Sequence, residues 1–329
     1  MTTPIRLELP TGFQFGTVNA YLFTDPKPVL VDTGLKSEAS WAALQDGLAE
    51  YGLTVADLDQ VIITHPHVDH CGQARRITEQ SQAQIWIADL GQPWLLDLPT
   101  HFQQRADYYR QVYLPRWAFS PAATELILKQ LTTLVEMCEA VPEERVKTFR
   151  VGDSLEMGGL LWQVLHAPGH ANSQTCFYQA DSRQLLAADM LLAKAPAPVL
   201  ERPTSSDPSS QPPALAQFLE SLAMVEALEI DQVYPGHGEP FADYRTVIRR
   251  QRERIRQRLE ECLGLIAAGD RTVAVLMAKM YPKKQLHLIG LWMLVGYLYL
   301  LEAEVRVGVQ VKDREWHYFQ KQKIGKTGE

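Results

Sequence analysis

The 329-residue chain predicts an α/β fold. Three observations carry that reading. Short apolar runs alternate with helical stretches through residues 5–91, the same rhythm returns over residues 147–240, and residues suited to metal binding stand at or just beyond the ends of those runs. In the first block the predicted strands are Ile5–Leu9, Ala20–Thr24, Val29–Asp32, Val61–Thr64 and Gln84–Ala88. Residues 92–146 break the rhythm: Ile127, Leu131, Leu134 and Cys138 recur at helix spacing, which predicts a helical insertion. Strand runs resume at Leu160–Leu165, Leu185–Ala188 and Ile230–Val233. A Pro/Ser-rich stretch, Ala195–Pro213, interrupts them; its composition suits neither helix nor sheet, and it reads equally as a gate or as a surface loop. Residues 245–329 predict an arginine-rich helix, a helix starting near Thr272, an apolar helix from Gln285 to Glu304, and a hairpin pairing Val305–Val311 with Glu315–Gln320. The expected division is a catalytic part, residues 1–244, and a small C-terminal domain, residues 245–329.

Composition sets the surroundings. At 46% hydrophobic residues the chain can bury a large sandwich plus a smaller unit. Cys71, Cys138, Cys176 and Cys262 are scattered without a CxxC pair, and Met1–Gly12 lacks the charged start and apolar stretch of a secretory signal, so a reducing, cytoplasmic setting is expected. The apolar run Leu286–Leu301 is shorter than the roughly 20 residues a membrane crossing needs. It is also interrupted by His287, Gly290 and Gly296, which predicts a buried helix and no membrane partner.

The chemistry is concentrated in His65-Pro66-His67-Val68-Asp69-His70, directly behind the apolar Val61-Ile62-Ile63. In a chain with only nine histidines, such a string arises by chance with a probability on the order of 10⁻³ or less. Histidines one residue apart point the same way from an extended backbone and can grip one ion. Asp69 and His70 follow after the chain has begun to turn, and can face a second ion. Zinc prefers four ligands, with one position left to water in a catalytic site. His170 in Pro168-Gly169-His170, Asp189 after the run Leu185–Ala188, and His237 in Tyr234-Pro235-Gly236-His237-Gly238 are the further candidates. Cys71 beside His70 reads as a small buried residue, and His166 as one that packs in the rim.

These pieces resemble the metallo-β-lactamase superfamily, and its hydroxyacylglutathione-hydrolase-like branch more than the antibiotic-degrading enzymes. The resemblance rests on Val31-Asp32-Thr33-Gly34, Thr64 through His70 with Gly72, Ala167-Pro168-Gly169-His170, Ala188-Asp189-Met190-Leu191 and Pro235-Gly236-His237-Gly238, in family order across roughly residues 5–240. It implies an αββα sandwich with the metals at one edge. It makes His65, His67 and His170 one metal site, Asp69, His70 and His237 the other, Asp189 the bridge, and Asp32 a support behind the ligand loop. Ala171 departs from the Thr or Ser the family often has after the histidine, which removes a hydroxyl but no ligand. The resemblance also implies that true metallo-β-lactamases are secreted and lack the equivalent of Asp189; this chain shows neither property, so antibiotic hydrolysis is disfavoured.

The expected activity is dinuclear metal-dependent hydrolysis. Two ions about 3.5–4 Å apart lower the pKa of a shared water from 15.7 toward about 7, giving a bridging hydroxide near neutral pH. Asp69 is the candidate catalytic proton acceptor, a role weighed equally with simple ligation. Zinc suits the His/Asp donors best, and iron or manganese accept the same groups. The expected substrate is a small acyl compound, an ester, thioester or lactone, with an apolar portion. Seven aromatics crowd the insertion between Trp94 and Phe119, and Trp94, Phe102, Tyr109, Tyr113 and Trp117 are expected to wall an apolar pocket.

The order of elements in the tail resembles the winged-helix tail of some β-lactamase-like hydrolases. Residues 245–329 carry 17 Lys+Arg against 9 Asp+Glu, and the first 244 residues 15 against 30. A basic winged helix beside two metals would suit an endoribonuclease acting on single-stranded RNA, but the acidic catalytic part would repel a polyanion. Docking of the tail on the body, or a homodimer contact, is therefore favoured over nucleic acid. A non-catalytic metal scaffold is the third reading, and the full set of candidate ligands argues against it.

Overall fold

The computed structural model describes residues 3–13, 16–193, 213–282 and 287–321. In chain order the body runs β1 (Ile5–Phe13), β2 (Gly16–Phe23), β3 (Val29–Val31), α1 (Glu38–Ala49), β4 (Gln60–Ile63), α2 (Val68–Cys71), α3 (Ala74–Gln80) and β5 (Gln84–Ala88). The insertion follows as α4 (Gln92–Leu96), α5 (Leu98–Tyr108) and α6 (Pro121–Glu136). Then come β6 (Val146–Phe149), β7 (Ser154–Met157), β8 (Leu160–His166), β9 (Thr175–Gln179), β10 (Gln184–Ala188), α7 (Ala214–Glu226) and β11 (Gln232–Pro235). The tail holds α8 (Tyr244–Ala267), α9 (Val273–Met280), α10 (Leu288–Ala303), β12 (Val307–Lys312) and β13 (Glu315–Gln320). Nearly all of the stretch Ala195–Pro213 lies outside the described residues, as do Gln285 and Leu286 at the expected start of α10.

Two sheets form the centre, a six-stranded one in the order β1-β2-β3-β4-β5-β6 and a five-stranded one in the order β11-β10-β9-β8-β7. Alternation along each strand explains the layers. Val29, Val31 and Ile62 face the second sheet and meet Trp162, Val164, Phe177 and Leu186. Leu30, Val61 and Ile63 face the other way, onto Trp41, Leu44 and Leu48 of α1. Cys176, Leu185, Ala187 and Val233 turn the outer face of the second sheet toward Phe218, Leu222, Ile248 and Ile255 of α7 and α8. The result is an αββα sandwich, an α/β fold.

Local chemistry supports each layer. Helix α1 starts where the Ser37 hydroxyl accepts from Ser40 N at 3.1 Å. In α8 the buried residues Ile248, Ile255, Leu259, Cys262 and Ile266 follow the helical period and leave the arginines on the outer faces. Helix α10 is buried almost all round, which accounts for its apolar sequence, and among the described residues no helix is long and apolar enough to cross a membrane.

The strand directions prepare one rim. β3 to β6 run parallel, so the segments after β3 and β4 emerge on the same side. β8 and β10 are both antiparallel to β9, and β11 is parallel to β10, so the segments after β8, β10 and β11 also share an edge. Thr175 N donates to Thr64 O at 3.0 Å and Asn19 N to Gly236 O at 2.7 Å, which ties the two edges together.

The tail does not build a separate core. Leu276, Leu291, Leu298, Val307 and Tyr318 belong to the same apolar cluster as Tyr113, Trp117, Leu185 and Phe218. Trp117 is wholly buried, its ring stacks on Tyr113 at 4.5 Å, and its carbonyl accepts from Ala274 N at 3.0 Å. Trp117→Ala should cost about 3–5 kcal/mol. Denaturant unfolding should then show body and tail melting in one transition shifted to lower midpoint; two transitions would mean the tail folds independently.

Candidate metal centre

At the rim the structure brings together His65, His67, Asp69, His70, His170, Asp189 and His237. Three groups of donors each fall within 4.8 Å: His65, His67 and His170; Asp69, His70 and His237; and His65, His70 and Asp189 between them. Asp189 is central. One of its oxygens lies 3.4 Å from His70 Nε2, and the other 3.4 Å from both His170 Nε2 and His237 Nε2. Asp69 closes the far side, 3.5 Å from His237 Nε2.

Each donor is aimed by what holds its other atom. Asp32 leaves the end of β3 at φ 63, a left-handed conformation that costs a non-glycine residue about 1–3 kcal/mol. There Oδ1 accepts from Thr64 N at 2.8 Å and Oδ2 from the Thr64 hydroxyl at 2.9 Å. Asp32 Oδ2 also meets His70 Nδ1 at 2.8 Å, so His70 turns Nε2 toward Asp189. The Thr64 hydroxyl, having donated to Asp32, accepts from His65 Nδ1 at 2.9 Å and leaves His65 Nε2 facing inward. His237 Nδ1 donates to Thr17 O at 2.6 Å. His166 Nε2 donates to Asn172 O at 2.8 Å and braces the turn that carries His170. Ala188, at φ 44, is the second strained residue, immediately before Asp189.

The donor set fits divalent ions. His67 Nδ1 lies 3.0 Å from His65 Nε2 and 2.9 Å from His170 Nε2, close to the roughly 3.3 Å between nitrogens that share a tetrahedral ion. His70 Nε2 and Asp189 Oδ1 are buried facing each other at 3.4 Å, and neither makes a well-formed hydrogen bond among the described residues. Such groups are costly to bury unless something else satisfies them. Among the described residues no cysteine belongs to the three groups, and burial pushes the Cys71 thiol well above its usual range. That fits the packing role.

Charge is tightly coupled at the rim. Burial works against a positive His70, but Asp189, Asp32 and Asp69 outweigh it and hold its pKa well above the ordinary value. Burial likewise opposes charge on His237, and Asp189 and Asp69 overcome it to give about 10. His65 goes the other way: burial first, then the neighbouring imidazoles, push it well below its usual range. Asp69 sits at about 2 because His70 and His237 outweigh the cost of its burial.

The five aromatics expected to wall a pocket fall in two apolar clusters. Trp94 and Phe102 pack against the cluster beneath the first sheet, while Tyr109, Tyr113 and Trp117 are sealed in the core shared with the tail. The excess of rings supplies a helical insertion with apolar contacts on two sides, against the first sheet and against the tail. Residues that the sequence reading passed over are Thr17, Asn19 and Tyr21 on β2, which meet the segment carrying His237. The signal was present: Asn19 is a poor strand former in the middle of an apolar run.

Fold and donors together define a class, a metallo-hydrolase on an αββα sandwich. The chain belongs to the metallo-beta-lactamase superfamily, whose family model matches residues 14–237. A probable metallo-hydrolase of Bacillus subtilis (strain 168), YqjP, is 28% identical over 311 residues, covering 92% of this chain and 94% of its own length. A metallo-beta-lactamase family protein from Thermus thermophilus superposes with a TM-score of 0.76 at 26% identity, over 97% of this chain and 98% of its own. A hydroxyacylglutathione hydrolase of Rhizobium etli is 29% identical over 129 residues, 39% of this chain and 46% of that protein.

The geometry can be checked in two ways. His237 in the metal-free protein carries a proton up to about pH 10, so an ion must displace it, and affinity should rise with pH. Calorimetric titration of Zn²⁺ at pH 7 in buffers of different ionisation enthalpy should register net proton release; none would show that these side chains are not the ligands. A Cβ on Gly236 would lie 2.1 Å from Asp189 Oδ1 and 2.9 Å from His70 Cε1. Gly236→Ala should therefore lower bound metal after dialysis by roughly tenfold or more, and wild-type metal content would contradict the placement.

Proposed function

We propose that the protein is a dinuclear metal-dependent hydrolase acting on a small acyl substrate, an ester, thioester or lactone. His65, His67 and His170 hold one ion, Asp69, His70 and His237 the other, and Asp189 stands between them. The observation that carries this is the interlocking of the three donor groups, which share His65 and His70. Zinc is the proposed metal because neutral imidazole and carboxylate donors suit it. A pair of divalent ions bound there would lower the pKa of water toward about 7 and polarise the substrate oxygen.

The residues divide the remaining work. Asp69 is held as a carboxylate by His70 and His237, which suits it first to ligation; a role in relaying a proton would need the bound ions to change that balance. Asp32 and Thr64 keep His70 and His65 in the tautomers that offer Nε2. His67 in the first group and His237 in the second are each half-buried while the other donors are buried, so the site meets solvent along the line of these two imidazoles. The partial similarity to a hydroxyacylglutathione hydrolase supports the acyl class.

The basic tail serves docking in this reading. Arg252 pairs with Glu226 of α7, Arg245 lies 3.1 Å from Glu229, and Arg258 donates to Met280 O at 3.0 Å, while Arg306 reaches Glu260 at 2.8 Å. Arg252 and Arg245 in this way offset carboxylates of the body, while Arg258 and Arg306 are taken up by contacts within the tail, so these four guanidinium groups are engaged without phosphate. The proposed tail is winged-helix-like in its three helices and hairpin.

Zinc-loaded protein assayed in parallel on acyl thioesters, lactones and single-stranded RNA should turn over an acyl substrate. Asp189→Asn should reduce kcat by on the order of 10²-fold or more. RNA cleavage abolished by the same substitution, with every acyl compound inert, would replace this reading with the nuclease.

A further inference from the structure

One feature of the rim reaches across the two sheets without offering a single metal donor. His237 stands on the segment Pro235–Gly238 after β11, in the second sheet, yet the bonds that fix this segment come from β2 in the first. Asn19 is 1% exposed, and its Nδ2 donates to Pro235 O at 2.8 Å and to Gly238 O at 2.7 Å. Its backbone N donates to Gly236 O at 2.7 Å. The Tyr21 hydroxyl donates to Pro235 O at 2.6 Å, and Thr17 O takes the proton of His237 Nδ1 at 2.6 Å. Residues 17, 19 and 21 lie on one face of β2, as the two-residue period requires.

The donors of the other group are held differently. The turn bearing His170 is fixed by Ser221, whose hydroxyl donates to Pro168 O at 2.8 Å, and by the Thr175 to Thr64 backbone bond. His65 is oriented by Thr64. None of these bonds involves Asn19 or Tyr21.

We propose that Asn19 and Tyr21 are positioning residues that set the affinity of the second ion alone, by clamping the carbonyls on either side of His237. The clamp holds a segment that ends on Gly238, at φ 81, against a neighbouring sheet, so His237 Nε2 is delivered 3.5 Å from Asp69 and 3.4 Å from Asp189. Removing a bond of the clamp frees His237 to swing away while the first group stays assembled. The inference rests on the dinuclear reading above.

The test is stepwise Zn²⁺ calorimetry on metal-stripped full-length protein, wild type, Tyr21→Phe and Asn19→Asp, with thermal melts of each. Wild type should bind two ions; a single ion would sink the dinuclear reading itself, before any substitution is considered. Given two, both variants should bind the first ion with wild-type affinity and the second on the order of 10- to 100-fold more weakly. A second affinity within twofold of wild type, or an equal fall in both affinities, would overturn the clamp and reduce these residues to general packing. Asn19→Asp places a charge against two carbonyl oxygens in a buried position; if it does not fold, Tyr21→Phe, which removes only a hydroxyl, decides the matter alone.

Discussion

The structure depends on a convergence that is unfavourable in isolation. Asp189 and the imidazoles of His65, His67, His70, His170 and His237 aim lone pairs and carboxylate oxygens into one buried volume, where His70 Nε2 and Asp189 Oδ1 face each other without a well-formed hydrogen bond among the described residues. Protons resolve part of the conflict, which is why Asp189 and its carboxylate neighbours raise His70 and His237 while other imidazoles depress His65. Divalent ions would resolve all of it, because each positive charge satisfies several donors at once. The strain at Asp32 and Ala188 is a local cost of aiming these groups.

Such an arrangement needs a rigid frame. Strands buried on both faces supply it, with Val31 and Ile62 packed against Trp162 and Phe177 between the sheets. The ligands stand where strands end, so the irregular backbone that carries them is short. Bonds across the rim then make the two sheets one body. The insertion and the tail brace the outer face of the second sheet through a shared apolar cluster, with Tyr113 and Trp117 at the junction.

Much of this was legible in the sequence. Apolar runs at Val29, Val61, Gln84 and Leu185 became strands because β-branched and apolar side chains in short runs suit a sheet buried on both faces. The string from His65 to His70 announced its chemistry because spacing alone puts neighbouring donors on one side of a loop. Asp189 and His237 required the order of motifs, since one acidic residue or histidine after an apolar run carries little information. What the aromatics of the insertion pack against was not legible, because burial depends on what lies opposite: Trp117 meets α9 and Tyr113 meets Trp316, more than 150 residues downstream. Asn19 and Tyr21 were missed for a related reason, as their partners lie 214 to 219 positions away and no periodicity links them. The tail's apolar face likewise reads the same in sequence whether it closes on itself or on the body.

The most direct measurement is anomalous diffraction at the zinc absorption edge from crystals grown with Zn²⁺. Two peaks about 3.5–4 Å apart are expected, one beside His65, His67 and His170, the other beside Asp69, His70 and His237, with Asp189 between. A single peak, or zinc held by other residues, would contradict the account.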